Sequence, residues 1–412
     1  SNHPLNRLPR AYLLSRAAPC DCLNMIFTAY QRTDASPKTN RESNFAFLDR
    51  SAWPEMERVR HYLEGLVGEY PQEERDELVA RLKCGDDTHF KSAVFELALH
   101  AFLIRLGYAL SPHPELPSGS KARPDFHVTT PTGEEFYLEA VLASIRDESV
   151  PAAEAMIGST LDALGNANHP SFKVLVEYDG IPDTQPSGKK LLAATLKWLD
   201  SLDPDRVRAD AESRGLDSAP TLKWTHEGWQ VRLRAYPLKP EARGKSRSLI
   251  GMLDGGAGLI DQWSPIRDAI KFKGAKYGDL DKPLLVAVNF GSFHLDKIDE
   301  MDALYGQEQY VLDTRNPEKE ARITRASNGA WIGPSGPRAR RVSGAWIFND
   351  LTAYSLSSRR HTIYLNPWAT HPLPEALKAM PHAIVSGDRM QRRDGFSLAE
   401  VLGLPTCWPE DE

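Results

Sequence analysis

A chain of 412 residues exceeds one typical hydrophobic core, so two domains or one enlarged α/β unit are expected. With 41% apolar and 26% charged residues it has the composition of an ordinary soluble globular protein. A formal net charge of −6 excludes global attraction to nucleic acid, so any such contact needs a local basic patch within an acidic surface.

The first fifty residues are mixed and turn-rich, and Gln31 to Ser43 has the polar composition of a linker. Ser1-Asn2 reads as a processing or cloning scar. Ser51-Ala52-Trp53-Pro54 opens a helix that runs through Leu63 and Leu66, and Glu73 to Leu82 is a second amphipathic stretch. Together they suggest an N-terminal helical lobe over residues 1–87. Lys91 to Leu106 reads as a helix ended by Gly107, with Phe95, Leu99, Phe102 and Leu106 on one stripe. Glu96 lies beside that stripe, with His100 one turn further on. Tyr108 to Leu116 has room for one short strand, which Pro112 and Pro114 confine to an edge.

Next comes Pro124-Asp125, and fourteen residues later Glu139 sits inside the apolar run Phe136-Tyr137-Leu138-Glu139-Ala140-Val141-Leu142. Thr129-Thr130-Pro131-Thr132-Gly133 between them is a turn signal, so the segment predicts a hairpin in which Asp125 and Glu139 can face each other. A carboxylate inside an apolar strand needs a partner, because burying it alone costs several kcal/mol. Two carboxylates on neighbouring strands make a divalent-metal site that can activate water for phosphodiester hydrolysis. Pro151 to Asn166 can form a helix and Phe172 to Tyr178 a strand. The resulting order is helix, three strands, helix, strand.

In that order, and in Glu96, Pro124-Asp125 and Glu139, the chain resembles the PD-(D/E)xK superfamily of restriction-endonuclease-like nucleases over residues 88–180. The resemblance implies an α/β restriction-endonuclease-like core and Mg2+- or Mn2+-dependent cleavage of nucleic acid, DNA before RNA, in bacterial defence or repair. It also implies Asp125 and Glu139 as metal ligands and Glu96 as an auxiliary ligand or water-orienting group. Such nucleases carry a Lys two residues after the strand-three Glu, where its charge stabilises the attacking hydroxide and the pentavalent phosphate. Val141 stands in that slot. Strand periodicity puts Arg123, Asp125 and His127 on one face with Lys121 two residues further back, so Lys121, Arg123 and His127 are candidate substitutes. The later helix Pro265 to Lys276 offers Lys271, Lys273 and Lys276, preceding Tyr277.

Residues 181–412 read as a C-terminal α/β extension. It holds a helix from Lys189 to Leu202, a hairpin from Leu222 to Tyr236 turning at Glu227-Gly228, and a buried-looking strand from Pro283 to Phe290. Further strands are expected around Ala330-Trp331-Ile332, Ser343 to Phe348 and His361 to Leu365. Asp254-Gly255-Gly256-Ala257-Gly258 lacks the Gly-Lys-Ser/Thr ending of a phosphate loop and reads as a flexible turn. Basic clusters stand at Arg243-Gly244-Lys245-Ser246-Arg247, Arg338 to Arg341, Arg359-Arg360, and Arg389 with Arg392-Arg393, and one or two of them are expected to contact a substrate. Interleaved Trp331, Trp346, Tyr354, Tyr364 and Trp368 read as core rather than stacking platforms. Cys20, Cys22, Cys84 and Cys407 are sparse and fit reduced thiols in a cytoplasm, and no apolar stretch reaches membrane-span length. A homodimer or a partner subunit is compatible with the sequence. Two alternatives stand beside a nuclease: a silent nuclease-fold module that binds nucleic acid or protein, favoured by Val141, and unrelated chemistry around Asp254, Lys271 and Lys276.

Overall fold

The computed structural model describes residues 26–39, 42–144, 151–215, 218–244, 248–255, 262–291, 295–311, 322–386 and 389–410. Cys20, Cys22, the Lys245 to Arg247 part of one basic cluster and the Gly256 to Gly258 part of the glycine turn lie outside them. Four helices come first: α1 (Asn44–Arg50), α2 (Pro54–Glu69), α3 (Gln72–Lys83) and α4 (Asp87–Arg105). Pro54 takes the first turn of α2, where its missing N–H is not needed. Asp86 caps α4 by accepting from the Thr88 and His89 N–H groups. Among the described residues no helix is long and apolar enough to cross a membrane.

After α4 the chain forms β1 (Ala109–Pro112), β2 (Phe126–Thr129) and β3 (Glu135–Ala143), antiparallel neighbours with β1 at the sheet edge. Then follow α5 (Pro151–Gly165), β4 (Phe172–Asp179), α6 (Gly188–Asp200), α7 (Pro204–Arg214), β5 (Thr221–His226), β6 (Trp229–Pro237) and β7 (Ile250–Gly255). These four strands make a separate sheet in the order β5-β6-β4-β7, with its own apolar cluster built on Val174, Val176, Val231 and Leu233. The β5–β6 turn places Glu227 at φ 34° and Gly228 at φ 79°, the left-handed pair that a two-residue hairpin requires.

The chain then returns through α8 (Trp263–Lys276) to β8 (Leu284–Phe290), which pairs in parallel with β3. Beyond it lie α9 (Lys297–Tyr305), the paired strands β9 (Glu308–Val311) and β10 (Arg322–Arg325), and the two-residue strands β11 (Ile332–Gly333) and β12 (Gly336–Pro337). The last elements are β13 (Gly344–Asn349), β14 (His361–Leu365), β15 (His382–Ser386), β16 (Arg389–Arg393) and α10 (Leu398–Leu402). The main sheet is eight-stranded and mixed, ordered β1-β2-β3-β8-β13-β14-β15-β16. One face, carrying Phe126, Leu138, Trp346 and Phe348, packs against α4, which α2 covers in turn. The other, carrying Val286, Val288, Ala345 and Tyr364, lies under α8 and α9.

The protein is thus α/β, but its strand order departs from the expected one. The strand at Phe172–Asp179 forms, yet it joins the smaller sheet, and the place beside β3 belongs to Leu284–Phe290. Burial explains the choice: β8 is buried at every position, as a strand covered on both faces must be, whereas β4 alternates between buried and half-buried residues. Of the expected strand around Trp331 only Ile332 is extended, and Trp331 itself is buried core. Trp346 and Tyr364 are buried core too, and Tyr354 and Trp368 are half-buried.

Buried His361 adds a titration. Its Nδ1 accepts from Trp346 Nε1 at 3.0 Å, and burial pushes the imidazole down to about 4 from an ordinary 6.5. The unfolded chain therefore binds the proton that the folded chain rejects, so the stability this residue contributes is complete above about pH 6.5 and is lost as pH falls toward 4. Unfolding curves at pH 7 and pH 5 should show His361→Leu losing less stability with acid than the parent, by up to about one proton in the slope. Equal slopes would remove His361 from the account.

Candidate active site

Phe126 on β2 stands opposite Leu138 on β3, and Asp125, the residue just before β2, reaches β3 beside Glu139 through the Ala140 N–H. Glu139 is completely buried in the middle of β3. Its Oε1 forms ion pairs with Lys273 Nζ at 2.5 Å and Lys276 Nζ at 3.3 Å. Its Oε2 accepts a very short hydrogen bond from the Tyr277 hydroxyl, which burial and the Glu139 carboxylate hold far above the usual tyrosine range. The three donors come from one helical turn, since positions 273, 276 and 277 are spaced i, i+3, i+4 and share a face. Gly274 lets that turn approach closely, because any side chain there would collide with Val342.

Asp125 is half-buried. Its Oδ2 accepts from the Ala140 N–H at 2.6 Å, just past the point where β2 begins, and among the described residues Oδ1 has no hydrogen-bond donor. Burial first and the Glu139 carboxylate second push its carboxyl up to about 7, with Glu96 adding a smaller push, while the Ala140 N–H and Lys273 oppose them.

Glu96 reaches the region from α4, on the face of the sheet opposite Glu139. It is 3% exposed and accepts from the Tyr70 hydroxyl at 2.5 Å and Arg81 Nη2 at 2.7 Å. The His100 ring lies tilted against the Tyr70 ring, centroids 4.9 Å apart, and burial lowers its pKa to about 4.

The structure brings together Asp125, Glu139, Lys273 and Lys276, with Glu96 close by. It leaves the other candidates elsewhere. Lys121 is exposed, and Arg123 points outward to Glu115 at 2.7 Å. The alternation that would aim them at Asp125 does not apply upstream of Phe126, where β2 starts. His127 lies on β2 but stands beside Glu135 at 3.7 Å. Lys271 is turned toward Asp268 at 3.9 Å and lines a separate cleft with Arg338 to Arg341. Tyr277 is a site residue that the sequence reading passed over. Its signal was the four-residue spacing from Lys273.

No family model, curated protein or solved structure matches the chain.

Among the described residues no three His, Cys, Asp or Glu side chains gather as a metal site. The pair nevertheless fits a hard divalent ion, since magnesium keeps most of its waters and needs only one or two carboxylates. Asp125 Oδ1 is open to such an ion. Glu139 supplies the second ligand only by exchanging one of its present partners.

Proposed function

We propose that the protein is a metal-dependent nuclease of the PD-(D/E)xK kind whose motif lysine is replaced by Lys273 from α8. The observation that carries this reading is the 2.5 Å ion pair between Lys273 and Glu139, which brings an ammonium group to the strand-three carboxylate that Val141 cannot serve. The element order supports it as well: α4, β1, β2, β3, α8, β8 is helix, three strands, helix, strand, with the segment holding the smaller sheet inserted before α8. The free thiols of Cys84 and Cys407 suit a cytoplasmic setting.

Asp125 and Glu139 would hold Mg2+ or Mn2+, which would supply water activation and positive charge for phosphodiester hydrolysis. Glu139 orients Lys273, whose ammonium group is then fixed where negative charge develops on the phosphorane. Tyr277 holds the Glu139 carboxylate in register from its other oxygen. Lys276, 34% exposed against 18% for Lys273, is the partner able to turn toward a substrate phosphate. Glu96, Tyr70 and Arg81 form a buried brace beneath Asp125.

Supercoiled and linear DNA, and then RNA, incubated with magnesium or manganese should be nicked. Lys273→Ala should slow cleavage by about a hundredfold to a thousandfold, the cost of one preorganised electrostatic donor. Lys271→Ala should leave the rate unchanged. Cleavage by the Lys273 variant at the parent rate, or none by the parent on any substrate, would sink the proposal. The second outcome would favour the silent binding module, for which the full engagement of Glu139 by Lys273, Lys276 and Tyr277 is the supporting observation.

A further inference from the structure

Two basic clusters far apart in sequence, Arg359-Arg360 and Arg392-Arg393, converge at the end of β14, β15 and β16. With Lys297 from the first turn of α9 they line a cleft of about 210 Å³ that also presents Thr362, His382 and Ser397. The five cations still outnumber the acids beside them, which are Asp394 on the rim, Asp350 at 3.8 Å from Arg359, the buried Glu300 beneath, and Glu400, which accepts from the Ser397 hydroxyl at 2.8 Å. In a chain whose formal charge is −6, such an excess has to be assembled.

The cleft is built from below. Glu300 of α9 is 2% exposed, and its Oε1 pairs with Arg360 Nη2 at 2.6 Å while its Oε2 accepts from the Tyr364 hydroxyl. Tyr364 in turn accepts from Arg392 Nη2 at 3.2 Å. This chain fixes two guanidinium groups side by side, yet it leaves Arg360 Nη1 and Arg392 Nε without an acceptor among the described residues. Buried N–H donors are ordinarily satisfied, so the arrangement lacks acceptor oxygens. Those two atoms are closed off from solvent, so a phosphate in the cleft meets the exposed Lys297 and Arg393 and the solvent-facing N–H groups of the half-buried Arg360 and Arg392, which bind its oxygens through charge-assisted hydrogen bonds.

We propose that this cleft binds a phosphate group, carried either by a nucleic-acid strand or by a small phosphomonoester. It does not depend on the nuclease reading. Register ties it to the candidate active site: Glu139, Val286, Ala345, Tyr364, Ala383 and Arg392 follow one another across adjacent strands. Five strand steps of about 4.8 Å put Arg392 roughly 24 Å from Glu139 in the plane of the sheet.

The test uses the full chain in EDTA, so that no cleavage intervenes, with three probes: inorganic phosphate, a 5′-phosphorylated single-stranded 12-mer DNA and the same 12-mer without the phosphate. Saturable binding is expected for at least one, and Lys297→Ala with Arg393→Ala should weaken it tenfold or more. Both side chains are exposed, so the double variant should fold as the parent does. Equal binding of the two oligonucleotides assigns the phosphate to a strand backbone. Dependence on the 5′-phosphate, or binding of inorganic phosphate alone, assigns it to a monoester. If no probe saturates, or if the double variant binds as tightly as the parent, the site is refuted, whether or not the protein cuts DNA.

Discussion

Replacing Glu139 by glutamine is expected to abolish metal-dependent cleavage, lowering the rate at least a thousandfold, or about 4 kcal/mol of barrier. The substitution keeps the volume of the buried side chain and its capacity to accept from Tyr277. What it removes is the charge that would hold an ion and that now fixes Lys273 at 2.5 Å. Removing one partner of a buried pair ordinarily costs about 3–5 kcal/mol, but Lys273 and Lys276 both reach solvent, so the variant should fold with reduced stability. Asp125→Asn should behave alike, since Asp125 is the other ligand proposed for the ion. Rates by plasmid nicking, read beside the urea midpoint of each variant, separate lost chemistry from lost structure. Parent-like cleavage by both variants would place the chemistry outside the β2–β3 hairpin.

The largest loss of stability from a single truncation is expected at Trp346. Its ring is wholly buried, packed 4.9 Å from Phe348 and 5.7 Å from Phe102, and its Nε1 satisfies His361. Trp346→Ala leaves a cavity in the layer between the main sheet and α4 and strands the His361 nitrogen, so the cost should be about 3–5 kcal/mol. Chemical denaturation of the variant should show the midpoint shift with little change in slope. A loss under 1 kcal/mol would mean that this layer collapses around the gap.

Much of the hairpin was legible because its signals are local. The turn at Thr130 to Gly133, the apolar run of β3 and the carboxylate at Glu139 all lie within twenty residues. The partner of β3 was not legible by proximity, because the chain leaves for the smaller sheet and returns. A signal for it existed in composition: Leu284-Leu285-Val286-Ala287-Val288-Asn289-Phe290 carries no charge, as a strand buried on both sides requires, whereas Phe172–Asp179 carries Lys173 and Glu177. The choice among candidate cations was likewise undecidable locally. Lys121 and Arg123 are near Asp125 in sequence, but Lys273 comes near Glu139 only after α8 has packed across the sheet and Gly274 has let it approach.

The excursion between β3 and β8 also bears on how the protein is made. Roughly 140 residues must leave the ribosome after Ala143 before Leu284 can pair with it, which at ordinary synthesis rates is about ten seconds or more. During that interval β3, the strand that carries Glu139, has an open edge on the side later taken by β8. The smaller sheet, whose strands pair among themselves, can close in the meantime. Synthesis order therefore makes the half-finished main sheet the vulnerable species, and chaperone demand should track nascent chains that end between Ala143 and Phe290.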